Sequence, residues 1–358
     1  MRAPQALLLA TSLIACSSER AAPERAAAAL TAESAALAPA PSPPVGLAAG
    51  PCQGQAVGAR VCEGARLLRC EGGAGAGAVE KTCVDIERCD AEQGTCQPAC
   101  PAGEVYVPAT GAQGFVMGKG FLSGSTHAIK GHQPNSDKPH KVVLTRPFCM
   151  DALEVTAGEI QPCMDAGACQ RPNFARRFVT YPTKPDQPVN AIEWRSAKHY
   201  CERLDKSLPS EAQWEWAATG GDGRAYPWGD APADCEHADF TPGVLPTPAA
   251  DAGCHGGGPS KVGSHPAGDR VWPSGHIHDL AGNVWEWCLD NYRPYGEKDE
   301  VDPVHLETET GYHAVRGGGW NRSAMGIHAA FRGSSIYTYQ VPGLGFRCVR
   351  NVKAEPHS

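Results

Sequence analysis

The sequence predicts an α+β fold, irregular and low in regular secondary structure, preceded by a small disulfide-rich module. Three observations lead there. Seven cysteines, Cys52, Cys62, Cys70, Cys83, Cys89, Cys96 and Cys100, crowd one short segment with little apolar residue to bury. Downstream, short strand-like runs with many glycines outnumber the amphipathic helix signals. Residues 230–275 hold Pro, Gly and Asp with few periodic apolar residues, a long irregular region of the kind that carries function or is held by staples and ligands.

The chain has 358 residues, enough for one large domain and a small one. Its formal charge is −7 and it has no basic run, so nucleic-acid binding has no electrostatic support. The start reads as a processing signal. Arg2 supplies the positive end, residues 7–10 the apolar run, and Leu13, Ile14, Ala15 and Cys16 a lipobox. The expectation is a signal peptide over 1–16, cleavage before Cys16 and lipid on its sulfur. That gives a lipoprotein anchored to a membrane, in the periplasm or at the cell surface. An ordinary secretory signal with an incidental cysteine is the other reading. Residues 17–50 are Ala- and Pro-rich, cannot bury a core, and read as a tether.

An extracytoplasmic site fits the sixteen cysteines, and no Cys-x-x-Cys pair points to zinc. In the module, 51–100, the first six cysteines read as three disulfides of a short β-rich knot. Their connectivity stays open among fifteen pairings. Cys100 is then free or bonded to the large domain. Residues 72–78 (GGAGAGA) read as a flexible turn.

The large domain spans 104–352. Residues 104–119 predict strand, turn and strand; 140–144 and 148–151 predict two more strands. Thr156 with Glu159 forms a capping box, and Pro162 makes that helix short or kinked. Cys163 and Cys169 bracket the turn behind it. In a second helix Ala197, Tyr200, Cys201 and Leu204 share a buried face, with His199 on the surface. Ser210 and Gln213 cap a third, which stops at Gly220 and Gly221; Glu211 suits its positive start. Tyr226, Pro227, Trp228 and Gly229 form a rigid aromatic turn. Residues 262–266 predict a short strand, and glycine-bearing strands close the chain.

The stretch 276–290, HIHDLAGNVWEWCLD, is where the rest converges. Asp279 and Glu286 are hard carboxylates on either side of Gly282. A loop leading into an alternating Trp-Glu-Trp strand can turn both, with backbone carbonyls, toward one calcium ion. The same spacing suits a Trp-rich core strand with Glu286 in solvent. His276 and His278 alternate onto one face, where a metal could bind, although two histidines without a third ligand also suit a plain surface. There is no G-x-S-x-G elbow, no H-E-x-x-H and no phosphate loop.

The motifs PVNAIEW, AKHYC, LPSEAQWEWAATGGDGRAYPWGD, HDLAGNVWEW, AVRGGGW, AFR and GLGFRCVR, in that order, resemble the formylglycine-generating enzyme (sulfatase-modifying factor) family from about Val107 to Arg350. The resemblance implies a variant of the C-type-lectin fold with structural calcium on Asp279, Gly282, Val284 and Glu286, and a second calcium site starting near Asp239 and Phe240. It also implies a cysteine oxidase whose copper sits on two thiolates. Those positions fall here on Arg322 and on Ile327 or His328, and Gly319 replaces the serine before them. No cysteine lies between Cys288 and Cys348. Cu(I) is soft and requires sulfur, so copper is not expected, and catalytic residues are none. The iron-dependent relatives of this fold carry a His-rich added helical domain that is absent from this sequence.

The expectation is therefore a binding or scaffold protein, a pseudoenzyme. Its groove would be formed by Trp228, Trp320, Asn321, Arg322 and His328 and would take a peptide, protein or glycan ligand. Arg322 favours an anionic or carbonyl-bearing group, and the two tryptophans offer stacking faces. These residues also suit a plain core and rim. An active formylglycine-generating oxidase, or a different metal-dependent oxidase on this fold, is the alternative. Even count, motif edges and chain position pair the eight large-domain cysteines as Cys149–Cys348, Cys163–Cys169, Cys201–Cys288 and Cys235–Cys254.

Overall fold

The computed structural model describes residues 52–352, apart from 121–137, 174–176, 244–252 and short loop stretches within 51–94. Cys16 and the segment 17–50 lie outside the described residues, as do residues 72–76 of the glycine turn.

The module has too little apolar surface to fold on burial alone. Its buried cluster is Leu67, Cys83 and Cys89, with Cys62 and Cys96 against it. Strands β1 (Arg60–Glu63), β2 (Arg66–Cys70) and β3 (Gly77–Thr82) form an antiparallel sheet, and β4 (Glu87–Asp90) pairs β5 (Thr95–Pro98). Three disulfides close it: Cys52–Cys70, Cys62–Cys89 and Cys83–Cys96. Loops of this length are each worth about 3 kcal/mol in the chain-entropy account.

The large domain alternates short strands with long connections. A sheet of order β17-β9-β6 joins β6 (Glu104–Val107), β9 (Phe148–Asp151) and the terminal β17 (Val349–Asn351). A second, β13-β8-β7, joins β7 (Phe115–Met117), β8 (His140–Val143) and β13 (Glu300–Val301). The four-stranded sheet β15-β14-β12-β16 holds β12 (Trp285–Asn291), β14 (Tyr312–Arg316), β15 (Gly333–Ile336) and β16 (Leu344–Gly345). β10 (Arg270–Trp272) and β11 (Gly275–Ile277) form a hairpin. Among the described residues there are three α-helices of nine residues each: α1 (Ala157–Asp165), α2 (Trp194–Glu202) and α3 (Glu211–Thr219). None is long and apolar enough to cross a membrane.

The caps are those expected. Thr156 and Ser210 each accept from the backbone N–H three residues on, and Glu159 and Gln213 reach back. Pro162 sits inside α1, which is short, and Gly220 ends α3 in the left-handed region at φ 64°. Helix α3 is buried on nearly every side, its Trp214 fully so. It packs in a core with Phe148, Met150 and Leu280; a second core gathers Trp194, Trp287, Phe346 and Ile160. In that second core, Trp194 donates its indole N–H to the Cys288 carbonyl at 2.8 Å and Trp287 to that of Ile192 at 2.9 Å. These two buried rings therefore keep their indole donors paired.

Several expectations are corrected. Leu204 falls past the end of α2 and is 44% exposed, so the buried face of that helix is Trp194, Ser196, Ala197 and Cys201. Residues 262–266 form a turn rather than a strand, because Gly263 takes φ 70°. Two disulfide pairings change. Cys149 faces Arg350 and Tyr106 across its sheet, out of register with Cys348, and bonds Cys100, just ahead of the neighbouring strand β6. The Ser207–Val349 bridge sets Cys348 against the end of α2, where it bonds Cys201. Cys163–Cys169 and Cys235–Cys254 form as expected. Cys288 is left as a buried free thiol.

Candidate functional site

The loop before β12 is shaped by backbone first. Asp279 and Asn283 take left-handed φ of 56° and 52°, conformations that Asp and Asn tolerate better than other side chains. Between them Gly282 has φ 86°, and a Cβ there would lie 2.3 Å from the Asp239 carbonyl oxygen. That carbonyl accepts from the Asn283 N–H at 2.8 Å, so the loop is pinned against 238–241 and only glycine fits.

This fold buries three carboxylates, Glu154, Asp279 and Glu286, beside one guanidinium, Arg347. Glu286 and Arg347 are fully buried and bidentate, at 2.7–2.9 Å. Trp214 Nε1 donates to the same carboxylate at 2.7 Å. The remaining Arg347 donors go to the carbonyls of Asp151, Ala152 and His278. Glu286 thus directs its lone pairs at Arg347 and Trp214. Asp279 accepts from the Gly263 N–H at 2.5 Å through Oδ2. Burial, then the charges of Asp279 and Glu286, push the Glu154 carboxyl well above the ordinary range, which favours its neutral form. Glu154 accepts from Asn283 Nδ2 at 2.6 Å.

The expected calcium donors are two side chains, Asp279 and Glu286, with the carbonyls of Gly282 and Val284. Here no three His, Cys, Asp or Glu side chains bring ligand atoms within 4.8 Å of one another. The one such group among the described residues, Cys83, Glu87 and Cys96, contains a disulfide. At the other expected position, Asp239 is buried, with Oδ2 accepting from Ser260 at 2.6 Å and Oδ1 from the Cys254 N–H at 3.2 Å.

The expected groove residues divide into two groups. Trp228 stacks on Tyr226 at 4.7 Å and 6°, and Tyr226 lies 5.8 Å from His328. Trp320 packs on Phe178 at 4.9 Å and is only 4% exposed, so its ring is wall rather than a stacking platform. Asn321 and Arg322 follow it. The Arg322 guanidinium lies 5.6 Å over the Trp285 ring, with its aliphatic stem over Gly326. No carboxylate lies within 4 Å of it among the described residues, and its buried Nε and the Asn321 Oδ1 lack hydrogen-bond partners. Burial lowers its affinity for the proton.

The positions of the family's two thiolates carry no cysteine here. Ile327 is buried in the cluster of Tyr226, Phe240 and Ala281. His328 accepts from the Ala330 N–H through Nδ1, and burial, then Arg316, pulls its pKa down to about 4. The Cys288 thiol is pushed well above its usual range, chiefly by burial, and stays protonated.

A second polar centre was not foreseen. Glu211, read as a helix-start charge, is buried and bidentate with Arg332 at 2.6 and 2.7 Å. Glu215 pairs with Arg316, and Asp290 accepts from the Glu211 N–H at 2.8 Å. Burial, then Glu211, pushes Asp290 up to about 6. The sequence signal was the helical spacing of Glu211 and Glu215, which puts both on one face of α3. His276 and His278 both reach Asp269, at 3.0 and 2.8 Å, as a surface pair on one carboxylate.

Comparison with known proteins agrees with this geometry. Residues 101–352 match the family described as "Sulfatase-modifying factor enzyme 1-like domain". The chain is 34% identical over 241 residues to the formylglycine-generating enzyme of Streptomyces coelicolor, covering 64% of this chain and 73% of that one. It is 31% identical over 172 residues to the "Inactive C-alpha-formylglycine-generating enzyme 2" of Mus musculus, covering 46% of this chain and 49% of that one. In fold it resembles PvdO from Pseudomonas aeruginosa, with TM-score 0.50 and 21% identity over 71% of this chain and 95% of that one. The irregular, C-type-lectin-like fold and the sequence match together show that the chain belongs to the sulfatase-modifying factor family.

Proposed function

We propose that this chain is a lipid-anchored, extracytoplasmic binding or scaffold module that has lost cysteine-oxidase activity. The observation that carries it is Arg322, half-buried, its buried Nε without a hydrogen-bond partner, at the position where the family's first copper thiolate would stand. Replacing an anionic ligand by a cation reverses the charge that the place can accept. Its natural guest is an anionic group of a peptide, protein or glycan, with Asn321 as a neighbouring polar contact. The mouse relative, named as inactive, supports a non-catalytic role on this fold. The Streptomyces enzyme supports the second reading, an active oxidase.

Binding is tested by titrating peptides that end in a free carboxylate against their amides. Carboxylate preference in the parent and its loss in Arg322→Gln supports the reading; equal binding of both ends overturns it. Membrane anchoring through Cys16 is tested by partition into detergent, with Cys16→Ala moving the protein to the aqueous phase.

Calcium enters the proposal in a narrowed form. The excess of buried carboxylate over guanidinium favours a divalent cation at the Glu154–Asp279 end, the Glu154 carboxyl giving up its proton there. The melting temperature would then rise with calcium and the rise would shrink in Glu154→Gln. Equal curves in calcium and chelator would remove calcium from the account.

A further inference from the structure

Outside the sites above, two imidazoles meet nitrogen to nitrogen. His265 is buried, at 5% exposure, and its Nε2 lies 3.2 Å from Nε2 of the exposed His255. The other nitrogen of His265, Nδ1, is buried without a hydrogen bond, and its nearest carboxylate oxygen is Oδ1 of Asp279 at 3.9 Å. That carboxylate favours one tautomer. A lone pair on Nδ1 would face negative charge, so Nδ1 carries the hydrogen and Nε2 is the bare donor, turned toward His255.

We infer that His255 and His265 form a two-imidazole site for a late first-row divalent cation such as zinc. Two nitrogens 3.2 Å apart, each about 2.0–2.1 Å from a shared ion, subtend roughly 100° at it, within the tetrahedral range. Imidazole is the donor such cations favour, unlike the carbonyl and carboxylate oxygens around Asp279 and Glu154. Asp279 behind His265 orients the ring and increases its basicity, as carboxylates behind ligating histidines do. The loop is held in place. Cys254, next to His255, is bonded to Cys235 and donates its N–H to Asp239 at 3.2 Å. His265 opens the turn Pro266–Gly268, whose Gly268 N–H returns to the His265 carbonyl at 2.9 Å. With two protein ligands and His255 exposed, the remaining coordination positions face solvent. They are open to water or to a donor from a bound partner.

The test is a titration of the tag-free, metal-stripped full chain with zinc in excess calcium, followed by calorimetry, and with cobalt(II), followed by its visible d–d bands. The expected result is one equivalent of tight binding with a tetrahedral cobalt spectrum. His255→Ala, an exposed change that leaves the fold intact, abolishes it, and Asp279→Asn weakens it by about 10- to 100-fold. No stoichiometric binding in the parent overturns the inference. So does binding that survives His255→Ala, or that is lost instead in His276→Ala, which would move the site to the His276–His278 pair.

Discussion

Replacing Arg347 by methionine probes the buried carboxylate cluster most sharply. The guanidinium makes three contacts of 2.7–2.9 Å to Glu286 and also reaches three backbone carbonyls. Methionine fills similar space but leaves Glu286 with Trp214 as its sole donor among these contacts. Removing one partner of a buried pair costs about 3–5 kcal/mol, because a charge is stranded away from water. For a domain of this size each kcal/mol shifts the melting temperature by about 2–4 °C, so a fall on the order of 10 °C is expected. The opposite change, Glu286→Gln, should cost less. The Glu286 charge helps push the Glu154 carboxyl up, so its loss favours ionisation of Glu154 beside the same guanidinium. Urea denaturation of both single variants and the double variant, with unchanged m-values, measures the asymmetry. Equal costs, or a Glu286→Gln cost above that of Arg347→Met, would refute the idea that Glu154 is a reserve of negative charge.

Non-reducing peptide mapping should recover Cys100–Cys149 and Cys201–Cys348, with Cys288 as the unmodified thiol that alkylates only after unfolding. Gly282→Ala places a methyl 2.3 Å from the Asp239 carbonyl at φ 86°, and should destabilise by about 1–3 kcal/mol or more in thermal melts. His313, stacked on Trp194 at 3.8 Å, is lowered to about 4 by burial. Its folded pKa lies below the unfolded value near 6.5. It stays neutral in the fold, and stability present above pH 6.5 is lost as pH falls toward 4. NMR titration of the imidazole checks this; a midpoint near 6.5 would contradict the buried stack.

Local rules carried much of the fold. Thr156 with Glu159 and Ser210 with Gln213 set helix starts, and Gly220 set a stop, because caps are decided within a few residues. The three staples of the knot followed from a core too small to fold alone. What failed depended on register between distant strands. Cys149 pairs Arg350 across the sheet, and Cys348, just ahead of that strand, lies two positions out of phase, which no count of cysteines reveals. Spacing left Glu286 either turned inward or in solvent; it is buried, and its partner Arg347 lay 61 residues away and became visible only through the sheet. Trp320 looked like a platform because aromatic character is legible in sequence and burial is not. The same limit hid Glu211: a helix-start acid and a buried ion-pair acid share one local signature.

The central claim is that the family's oxidase chemistry is gone because its thiolates are replaced. The most direct test incubates the copper-supplemented, folded protein with a cysteine-containing substrate peptide of the family. Mass spectrometry with hydrazide trapping of aldehydes reads the product, and the Streptomyces coelicolor enzyme serves as positive control. The account predicts an intact cysteine and no trapped aldehyde. Formylglycine in the peptide, formed by this chain and lost on removing copper, would contradict it.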